Sequence, residues 1–239
     1  MDQLIARYTE QLRTALDIGS NINATAHDKP INKVYVAGLG GSGIGADFVA
    51  SIIRAECKIP YLVGKGYKIP AYIDENTLAI ASSYSGNTEE TLESFAQMEA
   101  TGAKIVVISS GGKLISMAQE KGYDYVQVPG DWPSPRACLG FSFVQQLALL
   151  SNMGIISDTS LGQVASSIAL LDAESANIKA KAEEVANVLH KRIPIIYCED
   201  RVEPIALRLR QQINENSKAL CWTFYTLLFL KVMTKMEQN

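Results

Sequence analysis

Two short segments, VYVAGL at 34–39 and TLAIAS at 77–82, carry apolar residues on both faces, and each runs directly into a loop of glycine and serine. A strand buried on both faces belongs to a parallel sheet covered by helices on each side, so these segments place the chain in the α/β class. Helical periodicity fills the intervals. The pattern predicts a strand at Lys33 to Gly38, a helix from near Gly43 to Arg54, a strand at Pro60 to Gly64 and another at Thr77 to Ser83. It continues with a helix from Asn87 to Ala100, a strand at Ile105 to Ser110, a helix from Lys113 to Lys121, a strand at Tyr125 to Val128 and a helix from Leu139 to Met153. Leu4, Ile5, Tyr8, Leu12 and Leu16 recur near the helical period and predict an amphipathic outer helix ahead of the first strand. The first domain, residues 1–153, is read as a doubly wound parallel sheet with helices on both faces.

After Gly154 an Asp- and Ser-rich stretch leads to a long helical pattern from Leu161 to about His190, a short buried strand at Ile193 to Cys198 and a helix from Arg201 to Ile213. These open an incomplete second α/β domain, residues 154–222. Residues 223–239 are read as a divergent tail. The apolar run Ala219 to Leu230 is shorter than the roughly 20 residues a membrane span needs, so it is read as a buried segment and no membrane is expected.

Composition narrows the function. A net charge of −3 provides no basic stripe for nucleic acid, so an anionic ligand has to be held by local groups. Cys57, Cys138, Cys198 and Cys221 form no CxxC pair and the N-terminus is charged rather than signal-like, which points to a reducing cytoplasm. His27 and His190 have no ligand type at i, i+4; both are read as surface residues, and neither a metal site nor a cofactor is expected.

Two loops carry the chemistry. Gly38-Leu39-Gly40-Gly41-Ser42-Gly43-Ile44-Gly45 lies between a strand and a helix, where glycines let backbone N–H groups approach an anion at the helix N-terminus. Gly38, Gly40 and Gly43 also satisfy GxGxxG, but a dinucleotide site wants an acidic residue at the end of the next strand, and Gly64 and Lys65 stand there. The second loop, Ser82-Ser83-Tyr84-Ser85-Gly86-Asn87-Thr88-Glu89-Glu90, again follows an apolar strand and opens a helix. Ser83, Ser85 and Thr88 offer hydroxyl donors to phosphate oxygens beside the free amides of the first turn. A plain N-cap by Asn87 or Thr88 is the alternative. Two such loops on neighbouring strands favour a ligand, because open α/β sheets bind at strand C-termini where the strand order reverses.

GLGGSGIG, SYSGNTEET and Pro133-Ser134-Pro135-Arg136-Ala137-Cys138-Leu139-Gly140, in this order and spacing, resemble the bifunctional phosphoglucose/phosphomannose isomerases, a group with two sugar isomerase (SIS) domains per subunit. The resemblance runs from residue 1 to about 222. It implies the SIS fold and a substrate phosphate held by Gly41, Ser42, Ser83, Ser85 and Thr88. Glucose 6-phosphate or mannose 6-phosphate is then interconverted with fructose 6-phosphate through a cis-enediol. Arg136 takes the place of the family's arginine, suited to stabilising the developing oxyanion, and Glu215 of Asn214-Glu215-Asn216 that of its proton-shuttling base. A homodimer is expected.

Past Trp222 the family pattern stops: the Asn-His-Asn-Glu run whose histidine assists ring opening is replaced by Thr223-Phe224-Tyr225-Thr226-Leu227-Leu228-Phe229-Leu230-Lys231. The abruptness predicts a reading-frame shift in the encoding DNA just past the Trp222 codon and a poorly soluble chain. The alternative function is a truncated SIS module that binds a phosphorylated sugar without turning it over.

Overall fold

The structure is a computed structural model and describes residues 2–225. The chain divides into two compact units, one through Asp172 and one from Ala173.

The first unit opens with helices α1 (Asp2–Ala6) and α2 (Tyr8–Ser20). It proceeds through β1 (Lys33–Gly38), α3 (Gly40–Ile53), β2 (Tyr61–Gly64), β3 (Thr77–Ser82), α4 (Glu89–Glu99), β4 (Lys104–Ser109), α5 (Gly112–Lys121) and β5 (Asp124–Gln127). A single 3-10 turn at Pro135–Ala137 precedes α6 (Leu139–Asn152), and α7 (Thr159–Ala173) closes the unit. The five strands form one parallel sheet in the order β2-β1-β3-β4-β5. Strand order reverses between β1 and β3, which makes their C-terminal ends the place where a ligand crevice opens.

The doubly apolar strands have a direct structural cause. Val34, Val36, Leu78, Ile80, Val106 and Ile108 face one layer, shared with residues of α2, α3, α6 and α7. Tyr35, Ala37, Ala79, Ala81, Ile105 and Val107 face the other, packed with Phe95 and Met98 of α4 and Leu114, Ile115 and Ala118 of α5. Full burial of a Val, Leu or Ile contributes about 1.5–3 kcal/mol, so each strand position is specified on both faces. Val164 and Ile168 of α7 are buried in the first layer of the first unit.

The long helical pattern expected from Leu161 to His190 is two helices, α7 and α8 (Ser175–Leu189), separated at Glu174. No Gly or Pro marks the break. It falls where burial changes: α7 buries Ser160, Val164 and Ile168, while α8 has no buried residue.

In the second unit, β6 (Ile195–Cys198) leads through a 3-10 turn to α9 (Glu203–Asn216) and then β7 (Trp222–Tyr225), which pairs parallel to β6. Thr223, Phe224 and Tyr225, assigned to a divergent tail by sequence, thus continue a strand; the rest of that tail lies outside the described residues. The segment from Ala219, expected to be buried, exposes Leu220, Trp222 and Phe224. The reason is one-sided coverage: α9 packs on the face carrying Thr223, whose Oγ1 accepts a hydrogen bond from Arg210 Nη1 at 3.3 Å, and the aromatic residues project from the opposite face. His190 is exposed, whereas His27 is half-buried, its Nε2 donating to the Glu75 carbonyl at 2.7 Å. Among the described residues no helix is long and apolar enough to cross a membrane.

Candidate functional site

Gly38 and Ser82 are register partners at the ends of β1 and β3, and Ser82 is the partner of Ile108 on β4. The loops that follow these strands therefore start side by side. The first enters α3 through Leu39, an extended N-cap residue with no side-chain hydrogen bond to the helix. Glycine is required at Gly43 by proximity: a Cβ there would stand 2.5 Å from the Gly38 carbonyl oxygen. The first turn of the helix can thus sit directly on the end of the strand, with Ser42 buried beneath it.

The second loop reaches α4 through Thr88, also an extended N-cap whose side chain makes no capping bond. Its Oγ1 instead lies 2.8 Å from Ser83 Oγ, so two of the expected phosphate ligands are held together by a shared hydrogen bond. Asn87 does not cap α4 either; its Oδ1 accepts from the Lys113 amide at the start of α5. The plain N-cap alternative therefore lacks its capping bond. Ser85 is exposed, and its Oγ accepts the Asn87 N–H at 3.2 Å, closing the turn.

The short turn bearing Arg136 packs against the first loop, with the Pro135 carbonyl oxygen 3.3 Å from where a Gly41 Cβ would stand. Gly41, Ser42, Ser82, Tyr84, Pro135 and Cys138 line one small cavity at the strand ends. The structure thus brings together the loops bearing Gly41, Ser42, Ser83, Ser85 and Thr88 with the turn bearing the exposed Arg136. Glu215 belongs to α9 of the second unit.

Sequence reading missed the groups that hold this arrangement. Gln11 of α2, fully buried, donates from Nε2 to the Ala137 carbonyl at 2.8 Å and accepts the Gly140 N–H at 2.6 Å, clamping both sides of the Arg136 turn. Tyr84 donates its hydroxyl to the Pro129 carbonyl at 2.9 Å, and burial holds that phenol well above its ordinary pKa. Ser110 Oγ donates to the Tyr84 carbonyl at 2.6 Å, so the Ser109-Ser110-Gly111-Gly112 loop after β4 braces the second loop. Its strand-Ser-Gly-helix pattern was the available signal. Burial, with Asp131 adding to it against hydrogen bonding from Tyr84, pushes the Cys138 thiol up to about 11. Cys138 is a wall of the cavity and not a thiolate at neutral pH.

A doubly wound parallel sandwich with two Ser/Gly loops at uncapped helix N-termini on its switch-point strands defines a sugar isomerase (SIS) domain, and residues 29–123 match the SIS domain family model. Residues 178–227 match the bacterial phospho-glucose isomerase C-terminal SIS domain. Across both matched segments the chain is similar to the bifunctional phosphoglucose/phosphomannose isomerases. It is 39% identical over 227 residues to the bifunctional phosphoglucose/phosphomannose isomerase of Caldicellulosiruptor bescii, covering 92% of this chain and 66% of that protein. It is 32% identical over 194 residues to the D-glucosamine-6-phosphate 4-epimerase of Sulfolobus acidocaldarius, covering 80% of this chain and 59% of that one. The chain thus spans less than two thirds of the length of either relative. Among solved structures, the C-terminal domain of glucosamine-fructose-6-phosphate aminotransferase from Francisella tularensis shares the fold with a TM-score of 0.70 at 14% identity, covering 93% of this chain and 70% of that one.

Proposed function

We propose that this chain is a sugar-phosphate isomerase of the phosphoglucose/phosphomannose type, interconverting glucose 6-phosphate or mannose 6-phosphate with fructose 6-phosphate. The observation that carries the reading is the Ser83–Thr88 hydroxyl pair at 2.8 Å. It engages the N-cap hydroxyl of α4 with Ser83 and leaves the first turn of that helix uncapped, as suits an anion site at a helix N-terminus. In this reading Gly41, Ser42, Ser83, Ser85 and Thr88 hold the phosphate. Arg136 stabilises the enediolate oxygen, and Glu215 moves the proton between C2 and C1. The active form is a homodimer. Four free cysteines accord with a reducing, cytoplasmic setting.

The test is an isomerisation assay with each hexose 6-phosphate, run beside calorimetric binding. Glu215→Gln is expected to lower turnover by about 10² to 10⁴ while leaving fructose 6-phosphate affinity near wild type. Ser85→Ala with Thr88→Ala is expected to cost about 3–6 kcal/mol of binding. Binding without turnover by wild-type protein supports instead the module that holds sugar phosphate without converting it. A glucosamine 6-phosphate arm reports any epimerase chemistry of the Sulfolobus type.

A further inference from the structure

We propose that Lys65 is a further ligand of the substrate phosphate, paired with Asp47 in the free protein and transferred to the phosphate when the sugar phosphate enters. The proposal rests on the reading above that the crevice takes a sugar phosphate.

Lys65 directly follows β2, the strand beside β1 on the side away from β3. Its side chain runs back over the first turn of α3. Lys65 Cε lies 3.4 Å from where a Gly43 Cβ would stand, and that same point is 2.5 Å from the Gly38 carbonyl oxygen at the end of β1. The end of the lysine therefore lies at the rim of the crevice. Its ammonium is ion-paired with Asp47, one helical turn beyond Gly43.

The following backbone is fastened to the other helix of the site. Ser94 Oγ donates to the Gly66 carbonyl at 3.0 Å and Gln97 Nε2 donates to the Tyr67 carbonyl at 2.7 Å, both from α4. Lys65 thus sits on a strap between the two helices whose N-termini face the crevice.

Charge balance supplies the reason for a cation. A phosphate monoester carries nearly two negative charges at neutral pH. The groups assigned to it are neutral hydroxyls and amides, and the first turn of α4 adds the acids Glu89 and Glu90. A lysine ammonium is a rotatable point charge with three donors, suited to this task. Its pair with Asp47 is partly solvated, the lysine side chain being 39% exposed, so a dianion at close range can compete for it.

Calorimetric Kd values for fructose 6-phosphate, with thermal melts and a salt series on the full chain, test the proposal. Lys65→Met is expected to weaken binding about tenfold and flatten its salt dependence. Asp47→Asn, which frees the ammonium, is expected to tighten binding about two- to threefold. Lys65→Arg, which keeps the charge, is expected to stay within about threefold of wild type and covers the case in which Lys65→Met folds poorly. If the Met and Asn variants lose affinity and melting temperature together, the pair is a structural brace and the proposal is overturned. Unchanged affinity in Lys65→Met, with wild-type binding intact, overturns the proposal alone. Wild-type protein that takes up no fructose 6-phosphate overturns the site itself and the proposal with it.

Discussion

Gly86 has φ of +66°, and a Cβ built on it would lie 1.8 Å from the Gly111 carbonyl oxygen. The left-handed conformation alone disfavours an L side chain by about 1–2 kcal/mol, and the clash forces the Ser83–Thr88 loop off its brace. Gly86→Ala is therefore expected to lower stability by at least about 2 kcal/mol in urea titration and to weaken hexose-phosphate binding by more than about tenfold. Cys138 supplies a second residue-scale prediction. Its folded pKa, about 11, is above the ordinary thiol value, so the folded state holds the proton more tightly. The associated stability is fully present below about pH 8.5 and is lost as pH rises toward about 11. Thermal melts across that window should show a decline that Cys138→Ala removes, and alkylation of Cys138 should be slow at pH 7. The glycine and the hydroxyls of the second loop were legible in sequence because their conformational and donor properties are intrinsic. The perturbed thiol was not, since its shift comes first from burial by tertiary packing, with Asp131 adding to it.

Helix α2 shows what the pattern of an element conveys and what it hides. Leu12, Ala15 and Leu16 seat it against the first core layer, as its apolar spacing predicts. Gln11, on the same buried face, looks like an interruption of that pattern, yet it satisfies the Ala137 carbonyl and the Gly140 amide from 126 and 129 residues away. Gln11→Leu strands both backbone groups, at about 1–3 kcal/mol each. The expected result is a lowered melting temperature and a larger fall in kcat than in phosphate affinity, because the turn it releases carries Arg136 while the helix N-termini remain in place. Equal loss of both would remove Gln11 from this role. Strand and helix limits followed the sequence to within a few residues throughout the first unit, since periodicity and burial agree there. They diverged at Glu174, where local propensity is uniform and only the change of packing partner breaks the helix.

At the scale of the whole molecule, both core layers of the first unit draw only on residues up to Leu171. A chain of residues 1–172 is therefore expected to unfold in one cooperative transition and to bind fructose 6-phosphate within about twofold of the full chain. It should not isomerise it, because Glu215 is absent. Calorimetry and a coupled assay check the two halves separately, and turnover by the fragment would dismiss Glu215 as the base. Among its described residues the second unit buries few apolar side chains, Ala206 and Cys221 among them, while Ile195, Tyr197, Trp222 and Phe224 are exposed. A hydrophobic dye should bind the full chain and not the fragment. The sequence by itself determined the parallel sheet and the two glycine-serine loops at its strand ends, because strand burial on both faces and glycine-serine loops before helices act over a few residues. Only the tertiary structure decided that Thr88 turns to Ser83 instead of capping its helix, that Gln11 anchors the Arg136 turn, and that Lys65 lies against Gly43. Each joins groups from separate loops or elements, and only packing sets which donors and acceptors meet.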